Sequence, residues 1–285
     1  MALRALGALT CAALLAGCGN GPAGGQGAAF PRLGGERRAS GAWDTLADGL
    51  EVARLDGPED ATVTVVRIVP ARYRFSLLSA KLESRTPAPT IAEWVEQHEA
   101  TGAINASMYQ ADNLTSVGFM REGRRVNNRG WTRDKAVFVA EPLRAGRPLA
   151  RLLDRTCEDA PGIARGYGLV VQSIRMVDCR GRNVWAAKDE RWSVAAVGLD
   201  DSGRVLFVHC RQPVRAHDLV AALLSMPLGL RRLMYVEGGP QAALHVRVGG
   251  RTVVSEVGRP QEGGLLAEAA RVFVPLPNAI AFSPR

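Results

Sequence analysis

Three short segments place reactive or hydrogen-bonding side chains where an apolar run stops. "LMYVEGG" ends on Glu237-Gly238-Gly239, "GAIN" on Asn105, and "GLVVQS" on Gln172-Ser173. A carboxylate beside two glycines can serve as acid, base or nucleophile, and the glycines free backbone N–H groups to approach a ligand or phosphate. A tight turn with an exposed glutamate accounts for the same three residues equally well. The amides of Asn105 and Gln172 offer donors and an acceptor suited to a sugar hydroxyl or a phosphate oxygen. Asn105 also fits an Asx turn that closes a strand. Three polar strand ends in one chain suggest a common rim.

Strands must hold that rim, and the surrounding sequence supplies them. "ATVTVVRIVP" and "RYRFSLLSA" are β-branched and aromatic runs split by Pro70. Thr90 with Glu93 makes a capping box and Gly102 a stop, so a helix is expected over about residues 91–100. Hairpins are expected around Glu122-Gly123, Asp201-Ser202-Gly203 and Gly249-Gly250. "KAVFVAE" reads as a strand, and "YGLVVQSIRMVDCRGRNVW" as strand, short break, strand. The order strand 205–210, helix 216–226, strand 233–236 implies a βαβ unit with parallel strands. Glu237 would then sit at a carboxyl strand end, where ligands collect in such units. The expected class is α/β, in a mixed, strand-rich α+β form. It is a single domain over residues 43–285, built around a mixed sheet with at least one βαβ crossover.

The 285 residues, 47% of them hydrophobic, suffice for a sizeable core. The net charge of +8 comes from arginine, since lysine occurs only at Lys81, Lys135 and Lys188. No basic run is interleaved with aromatics, which argues against a nucleic-acid groove.

The first residues, "MALRALGALTCAALLAGC", carry Arg4 and then an apolar stretch too short to span a bilayer. Leu15-Ala16-Gly17-Cys18 resembles a bacterial lipobox; an ordinary secretory signal with a chance cysteine is the alternative. The expectation is a signal peptide over 1–17, lipidation of Cys18, and a Gly/Ala/Pro tether over 18–42. Gly19 in place of aspartate points to the outer membrane, facing the periplasm, with contact to the membrane through the anchor only. Once Cys11 is removed and Cys18 acylated, Cys157, Cys179 and Cys210 remain. Cys157–Cys179 is the preferred disulfide, because Cys210 lies in an apolar run. The four histidines are scattered, no Cys/His cluster suggests a metal, and no cofactor is expected; a divalent cation at Glu237 is left open.

Taken in order, "AINASMYQADNLTSVGFMREGRRVNN", "LVVQS", "AAVGLDDSGRVLFVHCRQP", "LMYVEGGPQAALHV" and "VPLPNAIAFSPR" resemble the phosphodiester glycosidase domain family. The uncovering enzyme, which removes N-acetylglucosamine from a phosphodiester link to mannose, belongs to that family. The resemblance covers about residues 60–283. It implies that Glu237 is catalytic and that Asn105, Gln172, Ser173, Gly238, Gly239 and Gln241 shape a pocket for a glycosyl phosphate or envelope glycan. Here Glu237 stands where the family usually has aspartate, Ala106 where glycine follows the asparagine, and Pro240-Gln241-Ala242 where small residues continue. The family's arginine has no counterpart at Val194, which leaves Arg175 and Arg191 as candidates to neutralise a departing phosphate.

The function expected is a lipid-anchored envelope hydrolase of glycosyl phosphodiesters. The alternative is a non-catalytic module of the same fold that binds a glycan or a partner. A general glycosidase would need a second carboxylate, for which Asp178, Asp189 and Glu190 are the candidates.

Overall fold

A computed structural model describes residues 42–260 and 271–285. The expected signal peptide, Cys18 and nearly all of the tether lie outside the described residues.

Strands β1 (Asp44–Ala47), β2 (Leu50–Asp56), β3 (Thr62–Ile68) and β4 (Tyr73–Ser79) precede helix α1 (Ile91–Gln97). Strands β5 (Gly102–Asn105), β6 (Met120–Glu122), β7 (Arg125–Asn128), β8 (Ala136–Pro142) and β9 (Ala150–Asp154) lead to α2 (Ala160–Ala164). Then come β10 (Tyr167–Val177), β11 (Arg191–Asp200), β12 (Val205–Arg215), α3 (Ala216–Ser225) and β13 (Leu230–Gly238). The remaining strands are β14 (Ala243–Val248), β15 (Arg251–Glu256), β16 (Arg259–Pro260), β17 (Arg271–Val272) and β18 (Asn278–Pro284).

The larger sheet runs β1-β2-β3-β12-β11-β13-β10-β6-β7, with β8 also on β10 and β9 on β8. A second sheet runs β15-β14-β5-β18-β4, and β16 pairs with β17. Every strand pairing among the described residues is antiparallel, which corrects the expected mixed sheet. Strand β12, helix α3 and strand β13 do follow one another, but β11 lies between the two strands and pairs antiparallel with both. The local hairpin at Asp201-Ser202-Gly203 claims one edge of β11 for β12, and β13 takes the other. Strands β12 and β13 thus point the same way without being neighbours. With three short helices and many strands among the described residues, the architecture is strand-rich as expected, rather than α/β.

Pro70 breaks the first long apolar run between β3 and β4, and the two halves enter different sheets. Alternation then turns one face of each strand inward. Val66, Ile68, Phe75, Leu77, Phe207, Ile280 and Phe282 meet between the sheets. Their aromatic rings touch edge to face, with Phe75–Phe138 centroids 5.6 Å apart and Phe207–Phe282 centroids 5.7 Å apart. The opposite face of β12 and β11 buries Leu206, Val208, Val194 and Ala196 under Leu219, Val220 and Leu223 of α3. Trp94 and Ile91 of α1 cover the second sheet at Ala103 and Ala281.

Helix α1 carries the capping box, with Thr90 accepting from the Glu93 N–H and Glu93 from the Thr90 N–H. It stops at Gln97, short of the expected Gly102, and the chain turns at Glu99, whose φ is 49°. Gly102 serves a different need. A Cβ there would lie 2.7 Å from the His245 carbonyl and 2.8 Å from the Phe282 ring, so β5 fits between β14 and β18 only without one. The expected break inside β10 is also absent, since Gln172 and Ser173 continue the strand opposite Val137 and Ala136.

Candidate active site

The apolar run Leu233–Val236 becomes β13, and its end is bent by a bulge. Ala196 pairs with Tyr235 and Ala195 with Glu237, which leaves Val236 as an extra residue. The bulge sets Glu237 opposite Ala195, in the same cross-strand row as His209, which pairs with Ala195 from the other side. Only 9% of the Glu237 surface remains exposed. Burial pushes its carboxyl up to about 7, against a smaller downward pull from the Gly238 N–H, which donates to Oε1 at 3.0 Å. Glu237 is therefore a buried carboxyl poised near neutrality rather than an exposed turn residue.

The two glycines answer different constraints. A Cβ on Gly238 would lie 2.1 Å from the Tyr235 hydroxyl and 3.0 Å from the Ser193 carbonyl, so this position has no room for a side chain. Gly239 has φ +66°, a left-handed conformation that favours glycine. The Ser193 hydroxyl then donates to the Gly239 carbonyl at 2.5 Å and fastens the turn to β11. Tyr235 packs its ring against Trp185 with centroids 5.1 Å apart. Burial, and secondarily the charge of Glu237, raises its phenol pKa, so it stays protonated.

Residues at the end of β5 join the Glu237 turn to β10. Asn105 Nδ2 donates to the Gln241 carbonyl at 2.9 Å, and its Oδ1 accepts from the Ala243 N–H at 2.8 Å. Two residues on, the Ser107 hydroxyl donates to the Gln172 carbonyl at 3.2 Å. Asn105, Gln172 and the Glu237-Gly238-Gly239-Pro240-Gln241 turn are thus linked across the two sheets. Gln172 lies between the β6 pairing of β10, over Leu169–Val171, and its β13 pairing, which begins at Ile174.

Inside that constellation the amides are occupied by the protein itself. Gln172 Oε1 accepts from the Phe119 and Thr132 N–H groups at 3.0 and 3.1 Å, and its Nε2 donates to the Asp134 carbonyl at 2.8 Å. Asn105 and Gln172 hold backbone in place, and their side-chain groups point to protein partners. Ser173 is buried, and its hydroxyl has no hydrogen-bond partner among the described residues.

The two candidate arginines are engaged elsewhere. Arg175 donates to both Asp154 oxygens at 2.8 Å and to the Thr156 hydroxyl at 2.7 Å. Arg191 pairs with Glu59. Among the described residues neither makes a hydrogen bond or ion pair with the Glu237 turn. Asp178 is held by Arg182, while Asp189 and Glu190 are exposed. Cys157 and Cys179 form a disulfide, and Cys210 is a buried free thiol. Asp154, Cys157 and Cys179 are the one group of potential metal ligands among the described residues, but Arg175 occupies the carboxylate and the two sulfurs are bonded to each other.

Tyr235, Ser193, Ser107 and His209 belong to this region and carry no motif of their own. His209 is fully buried, with Nδ1 2.6 Å from the Ser255 hydroxyl, and burial lowers its pKa to about 4. An alternating pattern marks such a histidine only as inward-facing. Its proximity to Ser255 follows from the packing of one sheet on the other.

Residues 98–283 match the family model described as phosphodiester glycosidase. The chain belongs to the phosphodiester glycosidase family. The match runs from the end of α1 into β18 and contains Asn105, Gln172 and Glu237. Strands β1 to β4 fall outside it, although β3 and β4 complete the two sheets beside β12 and β18. Among solved structures, the chain is similar to the catalytic domain of zebrafish N-acetylglucosamine-1-phosphodiester alpha-N-acetylglucosaminidase, auto-inhibited by its pro-peptide. The TM-score is 0.59 at 8% identity, over 83% of this chain and 82% of the other. It is also similar to a hypothetical protein from Synechocystis, with a TM-score of 0.57 at 14% identity over 84% of this chain and 63% of that one. At these identities the likeness is one of fold. No curated protein matches the chain.

Proposed function

We propose that this phosphodiester glycosidase family member hydrolyses a glycosyl phosphodiester, with Glu237 as the general base that activates water. The observation that carries the reading is a buried carboxyl with a pKa near 7, at a glycine turn fastened by Asn105 and Ser193. A base of that strength is matched to neutral pH. Water attacks the anomeric carbon, its proton passes to Glu237, and the sugar C–O bond to phosphate breaks. The bond electrons leave with a phosphomonoester whose second pKa is about 6, so departure needs little protonation. That property removes the need for the second carboxylate of ordinary glycosidases.

Purified Glu237→Gln protein assayed on a sugar 1-phosphodiester is expected to lose at least a hundredfold in kcat/KM. In the parent, kcat/KM should rise with pH and level off above about 7. Undiminished turnover in the variant would remove Glu237 from the mechanism.

A second reading, a glycan-binding module without turnover, is favoured by one observation. The amides of Asn105 and Gln172 are committed to protein partners, and among the described residues neither Arg175 nor Arg191 is held at the turn. Saturable glycan binding with no hydrolysis across a panel of glycosyl phosphates would establish it.

We further propose that the protein is anchored by a lipid on Cys18 at the bacterial outer membrane, facing the periplasm. Leu15-Ala16-Gly17-Cys18 supports the anchor, and the Cys157–Cys179 disulfide accords with an oxidising compartment. Cys18→Ala should move the protein from the membrane to the soluble fraction; retention on the membrane would refute the anchor.

A further inference from the structure

A cavity of about 260 Å³ lies between β6 and α2, lined by Phe119, Arg121, Trp131, Pro161, Ala164 and Arg165. Its aromatic wall is a stacked ring pair. The Phe119 and Trp131 rings stack with centroids 4.5 Å apart and planes 4° from parallel, and the Arg155 guanidinium lies 5.4 Å from the Trp131 ring centroid.

The opposite side is cationic. Arg121 is half-buried and donates Nη2 to the Ala164 and Tyr167 carbonyls at 2.9 and 2.8 Å, and Nη1 to the Gly123 carbonyl at 3.1 Å. These carbonyls orient the guanidinium without neutralising it. Arg165 is exposed, and among the described residues neither arginine forms an ion pair. None of the six lining residues is acidic.

We propose that this cavity is a second saccharide site, which holds an acidic sugar unit. An aromatic face accepts the apolar C–H face of a sugar ring, while a guanidinium pairs with a carboxylate or phosphate through charge-assisted hydrogen bonds. The volume is below the roughly 300–1,000 Å³ of drug-sized pockets, which suits a single ring. Gln172 links the cavity wall to the Glu237 turn through hydrogen bonds within the protein. Its side chain holds the Phe119 and Thr132 backbones, and its carbonyl receives Ser107, two residues beyond the Asn105 that grips the Glu237 turn. The saccharide class rests on the hydrolase reading, whereas the acidic group rests on two arginines without an ion pair among the described residues, of which Arg165 is exposed.

Calorimetric titration of the parent protein with glucuronic acid, glucose 6-phosphate and glucose tests the site. At least one acidic sugar should bind saturably and ten times or more tighter than glucose, and which one does so separates a carboxylate from a phosphate source. Arg165→Glu should weaken that binding at least tenfold, while Glu237→Gln should leave it within twofold. Equal binding of glucose, no saturable binding of either acid, an unaffected Arg165→Glu, or loss on Glu237→Gln would each overturn the proposal. Acidic-sugar binding without hydrolysis of any glycosyl phosphodiester would leave the site standing and remove the hydrolase reading. Hydrolysis without such binding would do the reverse.

Discussion

Asn105 and Gln241 belong to different parts of the chain, yet the Asn105 amide meets the Gln241 carbonyl at 2.9 Å and the Ala243 N–H at 2.8 Å. A residue at the end of one strand thus reads out the backbone of the turn that carries Glu237. In Asn105→Ala both backbone groups would lose their partner in a buried setting, at about 1–3 kcal/mol each. The melting temperature should fall by roughly 5–15 °C, and kcat should fall more than KM rises as the turn loosens. Thermal unfolding monitored by circular dichroism checks the first, and steady-state kinetics the second.

Gly238→Ala should be damaging, and Tyr235→Phe should partly rescue it. The added methyl meets the Tyr235 hydroxyl at 2.1 Å and the ring carbon bearing it at 3.2 Å. Removing the hydroxyl takes away the worst contact and leaves the ring carbon at 3.2 Å and the Ser193 carbonyl at 3.0 Å, so the rescue is partial. A double-mutant cycle on stability should therefore show a coupling of about 1–3 kcal/mol, in the sense of rescue. Simple additivity would mean the turn accommodates the methyl another way.

The stability of the parent should be nearly flat between about pH 4.5 and 6.5, as far as Glu237 and His209 are concerned. Glu237 titrates near 4.5 unfolded and near 7 folded, so between these values only the folded form holds the proton and stability falls as pH rises. His209 titrates near 6.5 unfolded and near 4 folded, so there only the unfolded form holds the proton and stability increases with pH. Each window is worth about 3 kcal/mol, with opposite sign. Glu237→Gln removes the first and exposes the second. Urea midpoints for the variant should climb from pH 4.5 to 6.5, while those of the parent move little.

Replacing both Cys157 and Cys179 with serine should lower stability by about 3 kcal/mol, the loop-closure value for the 22-residue separation. Their bond ties the end of β10 to the segment in which Asp154 accepts from Arg175 and from the Cys179 N–H. Reductant should lower the melting temperature of the parent and leave the double variant unchanged.

Local chemistry was legible in the residues. The Thr90/Glu93 capping box, the Asp201-Ser202-Gly203 turn and the Gly249-Gly250 turn each depend on neighbours in sequence, and the strand periods around them are short. Partner choice was not legible. Strands β12 and β13 read as adjacent because only a helix separates them in sequence, but β11 already belonged to β12 by a tight turn and offered β13 its free edge. For the site, Glu237, Asn105 and Gln172 stood out as polar strand ends, and the structure links them, although Gln172 lies inside β10. The roles of the two amides were not visible, because a buried amide satisfied by distant backbone has the same local sequence as one left open for a ligand. The arginines misled for a related reason: nothing near Arg175 in sequence announces Asp154, and nothing near Arg191 announces Glu59.

The position of β13 within the larger sheet has a consequence for the order in which the molecule can be made. β13 alone joins the β1-β2-β3-β12-β11 block to the block built on β10, and β5, which presents Asn105, is enclosed by β14 and β18. A chain emerging from its amino end can form the hairpins of either block, but it lacks the seam until β13 is added. The Asn105 clamp needs residues 241–243, which follow directly. Glu237 therefore acquires its burial, and with it its near-neutral pKa, only when the two halves close on each other. A partly synthesised or partly folded chain carries an ordinary acidic glutamate, and the near-neutral carboxyl arises with the finished sheet.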